Sequence, residues 1–577
     1  MRNIFNFKNR LQGLQQSVIR FPLTVIFLIA FFATSAWSIE TTESANRLLF
    51  SLGVGILASI LVQVIYETYF KTVSYQLGLY GIAVMAAIGY YLVVPDGVDS
   101  IVVGIRTTVL YFVLIVGILT VPALKKRLSF QWNFLKIFQA FFLTVLFTAV
   151  LVAGTSSILL AFDSLLFSIP ERTYAHAVNA ITTLFSPIFF LSYLPKYTPQ
   201  IKKEESNTTL PRSLEILVSY VIIPLLVLFT LILIVYLAIN IREEFWTDNL
   251  IEPMLISYAI IGLLTYVLAS TMKNPFTHAF IKYYPIALIV LMLFQTISSS
   301  LRIQETGVTY GRYYVILVAV FLFLAGIHFL VYHRDQLQRV MLLLIGLAIL
   351  SITPPIDAFT TSKWQQTNRL EELLISNQLL QEGTLTPQPE IPSSEKEKIT
   401  ETVFYLQGME WLDEFSYIPL NDRGDNFEEL FGFKPMYTRN RYELEQSRNL
   451  SIDWERFSGV EIEGYDYFTQ FNVGDSTVRF GMGPQTAIET EKYQLKSEQN
   501  VVVILDKAEE ELMRVNMIEV FEEFFTRNQA GGENISVEEL TWERENEKIQ
   551  VKLVVQHVNE FENGYYAEGY LLIGNKE

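Results

Sequence analysis

LEILVSYVIIPLLVLFTLILIVYLAINI, residues 214–241, contains a single charged residue, Glu215, at its second position. The hydrocarbon core of a bilayer is about 30 Å thick, and a helix needs about 20 mostly apolar residues to cross it. Backbone amides find no water in lipid, so such a run must satisfy its own hydrogen bonds as a helix. Ten more runs of this kind follow the same pattern: Phe21–Ile39, Leu48–Tyr66, Tyr75–Val94, Thr107–Leu124, Ile137–Phe162, Ala177–Leu194, Pro253–Met272, Pro285–Leu301, Tyr313–Tyr332 and Val340–Ile356. The chain is therefore read as an α-helical polytopic membrane bundle of about 11 transmembrane helices over residues 21–356.

Composition divides the 577 residues into two parts. Residues 1–356 hold 23 Lys+Arg against 16 Asp+Glu, while residues 357–577 hold 20 against 43. The net charges are +7 and −23, which excludes a single soluble domain and a uniformly disordered chain. The acidic part would repel phosphate, so nucleic acid is not a partner. With no cysteine, the chain has no disulfide, thiolate metal site or cysteine nucleophile.

Loop charges set the expected orientation. Alternate loops, together with the N-terminal tail, collect 17 Lys+Arg on one side of the membrane and 6 on the other. Positive loops face the cytoplasm. The N-terminus is then cytoplasmic, and eleven spans leave everything after Ile356 extracytoplasmic. Trp37, Trp132, Trp246 and Trp364 fall at span edges, where aromatic belts form. Ahead of the first span, Ile4, Phe7, Leu11, Leu14 and Val18 recur at steps of three and four. Residues 1–20 thus read as an amphipathic segment that lies on the leaflet or packs on span ends.

The central stretch of each run lacks Asp, Glu, Lys and Arg, unlike the ion-coupled carriers that keep an ionisable group there. Polar residues gather beside prolines in two spans: Asn179, Thr182, Thr183 and Ser186 next to Pro187, and Ser351 and Thr353 next to Pro354 and Pro355. Another proline, Pro224, interrupts the seventh span. Gly53-Val54-Gly55-Ile56-Leu57-Ala58 matches a dinucleotide fingerprint by letter only, and small residues for helix packing account for it.

Beyond Ile356, residues 357–399 read as a juxtamembrane helix (Leu370, Leu373, Leu374) and a Pro/Ser-rich linker at 383–394. Residues 400–577 read as an acidic extracytoplasmic α+β domain with a mainly antiparallel sheet. Its signals are a helix at Ile399–Met409, alternation at Val460–Glu463 and the apolar run Val501–Leu505. Leu512, Val515, Ile518, Phe521 and Phe525 mark a second helix, and strands at Ile549–Val555 and Tyr565–Ile573 close the chain. The acidic run Asn421–Asn426, with Glu428 and Glu429, lacks the spacing of a calcium loop and reads as a solvated turn.

Several of these residues also carry a resemblance. Arg20-Phe21-Pro22 opens the first span. Arg302-Ile303, Gly307-Val308-Thr309 and Arg312-Tyr313 precede the tenth. Lys363 and Asn368-Arg369-Leu370 follow the last, with Gly464-Tyr465-Asp466-Tyr467 and Ser536-Val537-Glu538 in the tail. In these the chain resembles the bacterial multi-pass membrane family called domain of unknown function 4153. The resemblance implies an integral protein of the bacterial cytoplasmic membrane and brings no catalytic residue.

No catalytic, cofactor-binding or metal residue is assigned, and no cofactor is expected. The candidate site is Arg302, Arg312, Lys363 and Arg369, cations expected near the outer face. There they either dock the acidic domain or hold an anionic lipid headgroup, and Gly307 permits a positive-φ turn between the first two. The leading functional reading is a non-enzymatic envelope protein for sensing or partner binding, with the bilayer and an anionic lipid or envelope protein as partners. The alternatives are a carrier for a neutral or lipid-like substrate and an envelope transferase at the outer interface.

Overall fold

The computed structural model describes residues 7–41, 45–70, 72–94, 101–124, 128–197, 212–240, 251–332, 336–381, 383–412, 415, 417–419, 426–436, 449–452, 459–460, 462–474, 477–481, 485–490, 492–528, 532–561 and 564–576. Trp246 and Asn421–Asp425 lie outside them. The chain forms two compact units, Met1–Met436 and Tyr437–Glu577.

The first unit opens with α1 (Phe7–Arg20). Ten helices long and apolar enough to cross a membrane follow among the described residues. They are α2 (Pro22–Thr41), α3 (Asn46–Tyr69), α4 (Val73–Val93), α5 (Ile101–Leu124), α6 (Phe130–Leu165), α7 (Glu171–Tyr193), α8 (Arg212–Leu237), α9 (Glu252–Ala269), α10 (Pro275–Gln304, continuing to Thr306) and α11 (Tyr310–Tyr332). This is a multi-pass membrane protein. Most outward side chains are apolar, and the buried ones are often small, as helix packing in lipid requires. Gly55 shows why: a Cβ there would meet the Phe27 ring at 2.7 Å. The GVGILA stretch is a helix-packing surface inside α3.

The eleventh apolar run gives a shorter helix, α12 (Leu337–Leu350), which at 1.5 Å per residue is about 21 Å long. Residues 351–356 continue it as turns. The Tyr313 hydroxyl, at the start of α11, donates to the Ile356 carbonyl at 2.7 Å. α11 leads away from that end of the bundle, so α12 and its turns bring the chain back to it.

Two of the membrane helices contain a π-helical turn, Ala180–Phe185 in α7 and Val218–Ile222 in α8. Each lies two residues ahead of a proline, Pro187 or Pro224. A proline lacks the N–H for the regular ladder and its ring crowds the carbonyl four residues back, so the helix widens there. Ser186 Oγ donates to Ile181 O at 2.7 Å, beside the π-type bond from Ser186 N to the same carbonyl.

After α12 come α13 (Ala358–Ser376), the hairpin β1 (Leu380–Gln381) and β2 (Thr384–Leu385), α14 (Ser393–Gly408) and α15 (Phe427–Phe431). They share one apolar core that includes Leu370, Leu374, Ile399, Val403, Phe427 and Phe431. The Pro/Ser-rich 383–394 stretch is built into this helical cap. Ile391 is buried, and Gln388 N donates to Phe431 O at 3.0 Å. Prolines and serines allow such extended packing as readily as a loose linker.

The second unit is α+β. A seven-stranded sheet has the order β10 (Gly532–Ile535), β3 (Asn449–Ile452), β12 (Ile549–Phe561), β13 (Gly564–Asn575), β4 (Tyr467–Gly474), β5 (Thr477–Phe480). A further strand, β11 (Thr541–Glu545), also pairs with β12. All its pairings are antiparallel except β10 with β3. A four-stranded antiparallel sheet runs β6 (Ala487–Glu489), β7 (Gln494–Glu498), β8 (Val501–Leu505), β9 (Glu511–Asn516). Helix α16 (Met517–Arg527) inserts Phe521, Phe524 and Phe525 into the core common to both sheets.

One expectation is corrected here. Leu512 and Val515 belong to strand β9, and the helix starts only at Met517. Met513 and Val515 alternate inward against β8, a pattern that six residues cannot separate from a helical stripe. Asn516 then caps the helix, its Oδ1 accepting from Ile518 N at 3.2 Å.

Candidate functional site

A connected set of polar groups lies where the chain leaves the bundle. Asp357, fully buried, caps α13: its Oδ1 accepts from Thr360 N at 3.3 Å, and its Oδ2 accepts from Arg106 Nη2, in the second turn of α5, at 2.5 Å. The Arg106 side chain is 34% exposed and lies over the Phe359 ring at 5.3 Å. Burial pushes the Asp357 carboxyl up, but the hydrogen bonds from Thr360 and Arg106 outweigh it and hold the group below the usual aspartate value.

From this anchor α13 lies against the α10–α11 connection. Val308 N donates to Gln365 Oε1 at 2.8 Å, and Gln366 Nε2 donates to Thr306 O at 3.1 Å. The Ser362 hydroxyl donates to Val308 O at 3.0 Å, which leaves its oxygen to accept from the Tyr405 hydroxyl at 2.7 Å. Tyr405 in turn accepts from Tyr310 N at 3.0 Å. One chain of hydrogen bonds thus joins α11, α13 and α14. Phe359, Ser362, Gln365, Gln366 and Arg369 share a helical face, and with Asp357 capping its start α13 is a bar fixed to this end of the bundle.

The bar needs Gly307. Its φ of 76° and ψ of 179° fall in a region essentially restricted to glycine. A Cβ there would also meet Gln365 Oε1 at 2.6 Å and Gln366 Nε2 at 2.7 Å. The positive-φ turn expected at this residue is present.

The four sequence-selected cations take different positions. Arg302 is buried, 3.8 Å from Glu252 Oε2 at the start of α9, and Ser299 and Gln295 continue this polar file along α10. Arg312 Nη1 donates to the Arg302 carbonyl at 2.9 Å, so these two are brought together. Lys363 Nζ lies 6.0 Å from the Trp411 ring centre. Arg369 lines an open cleft of about 480 Å³ with Gln304, Glu372, Leu373, Ser376 and Lys398. Burial pushes the Arg369 guanidinium down, while Glu401 and Glu395 favour its charge. The side chain of Glu305, a partner considered for the arginines, lies outside the described residues. Sequence reasoning missed Asp357, Ser362 and Tyr405. The run Ile356-Asp357-Ala358 did offer a signal, an N-cap residue at the start of a helical pattern.

The opposite end has a second anchor. Arg20 Nε and Nη2 donate to the two carboxylate oxygens of Glu67, each at 2.7 Å. Arg20 also donates to Leu194 O at 2.8 Å and Pro195 O at 2.6 Å, where the chain leaves α7. Tyr197, just beyond, donates to Asn133 Oδ1 at 2.9 Å.

No curated protein and no solved structure matches the chain. The sequence model of the family described as Domain of unknown function (DUF4153) matches residues 21–385. That span covers the bundle, the α10–α11 connection, Asp357 and the whole of α13, and it stops at β2. More than half of the chain falls within the match, and the protein belongs to the DUF4153 family.

Proposed function

We propose that this protein is a non-enzymatic envelope protein of the bacterial cytoplasmic membrane. The bundle is a base with a cytoplasmic N-terminus, and the cap and acidic sheet unit stand on the extracytoplasmic side for sensing or partner binding. The observation that carries this reading is the fixed exit of the chain. Asp357 and the first three turns of α13 are bonded to α5, to the end of α10 and to the α10–α11 connection, so the segment leaving the bundle is held as a mount rather than as a tether. The 17-to-6 loop charge split supports the sidedness. With residues 357–577 at net −23, the complementary partner is a basic protein surface. Cross-linking on intact cells followed by purification tests this. A stoichiometric protein joined to residues 437–577 supports it, and cross-links to neighbouring copies of the bundle alone overturn it.

The paired π turns in α7 and α8 favour a second reading, a carrier for a neutral or lipid-like substrate, because such turns recur at functional sites. The two readings separate in proteoliposomes. A carrier moves substrate without the sheet unit, whereas the envelope platform loses its partner when residues 437–577 are removed.

A further inference from the structure

The cleft beside Arg369 lies at a definite depth. α10 has 32 residues and is about 48 Å long, longer than the ~30 Å hydrocarbon core. Its apolar run ends at Leu301, so Gln304 in the last turn stands at headgroup level on whichever side this end faces. The cleft is bounded there by α13 and α14, and its volume of about 480 Å³ suits a small polar ligand.

Its charges are mixed. Arg369 and Lys398 supply two cations. Glu372 lines the rim, Glu395 holds Lys398 at 2.7 Å, and Glu401 acts on Arg369. A ligand with only negative charge would leave Glu372 in the lining unmatched and would face Glu395 and Glu401 beside the two cations. A ligand with a phosphate and its own ammonium group would satisfy both signs. The part-buried Arg369 guanidinium, short of water, gains most from a phosphate oxygen. Gln304 and Ser376 add neutral donors.

We propose that this cleft binds a phosphoethanolamine group, with the phosphate on Arg369 and Lys398 and the ammonium on Glu372. The group comes from a phosphatidylethanolamine headgroup or from the free compound. The inference goes beyond the partner-binding reading and stands or falls apart from it.

The full chain in detergent is titrated with phosphatidylethanolamine, phosphatidylglycerol or free phosphoethanolamine, and bound ligand is counted by native mass spectrometry. Phosphatidylethanolamine is expected to be retained at least tenfold over phosphatidylglycerol. Lys398→Glu should lower that retention at least tenfold, and so should Arg369→Gln. Glu372→Gln should shift preference toward phosphatidylglycerol. The Lys398 side chain is 42% exposed, so its variant should keep the wild-type thermal transition even where Arg369→Gln does not. Displacement of the lipid by free phosphoethanolamine assigns recognition to the headgroup alone, and retention against it assigns a share to the acyl chains. Equal retention of the two lipids, or retention unchanged in Lys398→Glu, overturns the proposal.

Discussion

Asp357→Asn removes one charge from a contact buried completely on the aspartate side, while the amide oxygen can still cap α13. Breaking a buried ion pair from one side costs about 3–5 kcal/mol. Arg106 is 34% exposed and keeps both water and the Phe359 ring, which places the cost near the lower end, about 3 kcal/mol. The loss falls on the bar, because Asp357 joins α13 to α5. Amide protection in residues 358–376 should therefore drop by roughly 150-fold, at about 1.4 kcal/mol per tenfold. Asp357→Ala also removes the cap, worth about 1 kcal/mol more, so its drop should approach a thousandfold. Hydrogen exchange on the full chain in detergent measures both, with exposed Glu371→Gln as the control. Because the folded Asp357 carboxyl lies below its unfolded value of about 3.9, its contribution is complete above that pH and lost as pH falls through the folded value. Protection of α13 should stay flat from about pH 5 to 8 and decline only below about pH 4. Protection in Asp357→Asn within threefold of wild type at pH 7 would refute the latch.

Three further outcomes are expected. Gly307→Ala should cost about 1–3 kcal/mol for its backbone conformation alone and should also free Gln365 and Gln366, so the same α13 amides lose protection while α16 amides do not. Arg20→Gln should lower the thermal stability of the bundle by about 3–5 kcal/mol, whereas Arg47→Gln, whose guanidinium reaches Tyr91 O from an exposed position, should cost under about 1 kcal/mol; thermal unfolding in detergent compares them. A fragment of residues 437–577 should unfold cooperatively on its own. One starting at residue 400 should aggregate, because Phe427 and Phe431 then lack Leu370 and Leu374; a soluble, equally cooperative 400–577 fragment would contradict this, with light scattering as the readout.

The membrane bundle was legible because its signal is local, with each apolar run declaring its own helix. The sheet was legible where alternation was long, as in β12, and misread where it was short, as in β9. The latch could not be read in advance. Arg106 and Asp357 are 251 residues apart in sequence, and only the path of the eight spans α5 to α12 brings them to one end. The selected cations were read as a single patch because they share a side of the membrane. Depth separates them: Arg302 sinks beside Glu252, while Arg369, on α13, opens to a cleft. The π turns were half legible. Pro187 and Pro224 announced a break, but which way the ladder would relax depends on neighbours such as Thr148, whose hydroxyl is 2.6 Å from Ser186 Oγ.

The central claim is that the base spans the membrane with its N-terminus inside and the sheet unit outside. Since the native chain has no cysteine, single cysteines report sidedness directly. Lys507→Cys, at an exposed position beside β8, and Ser206→Cys, between the sixth and seventh apolar runs, are each treated on intact cells with a membrane-impermeant thiol reagent. The account predicts labelling of Lys507→Cys at once and of Ser206→Cys only after permeabilisation. Labelling of Ser206→Cys on intact cells, with Lys507→Cys protected, would contradict it.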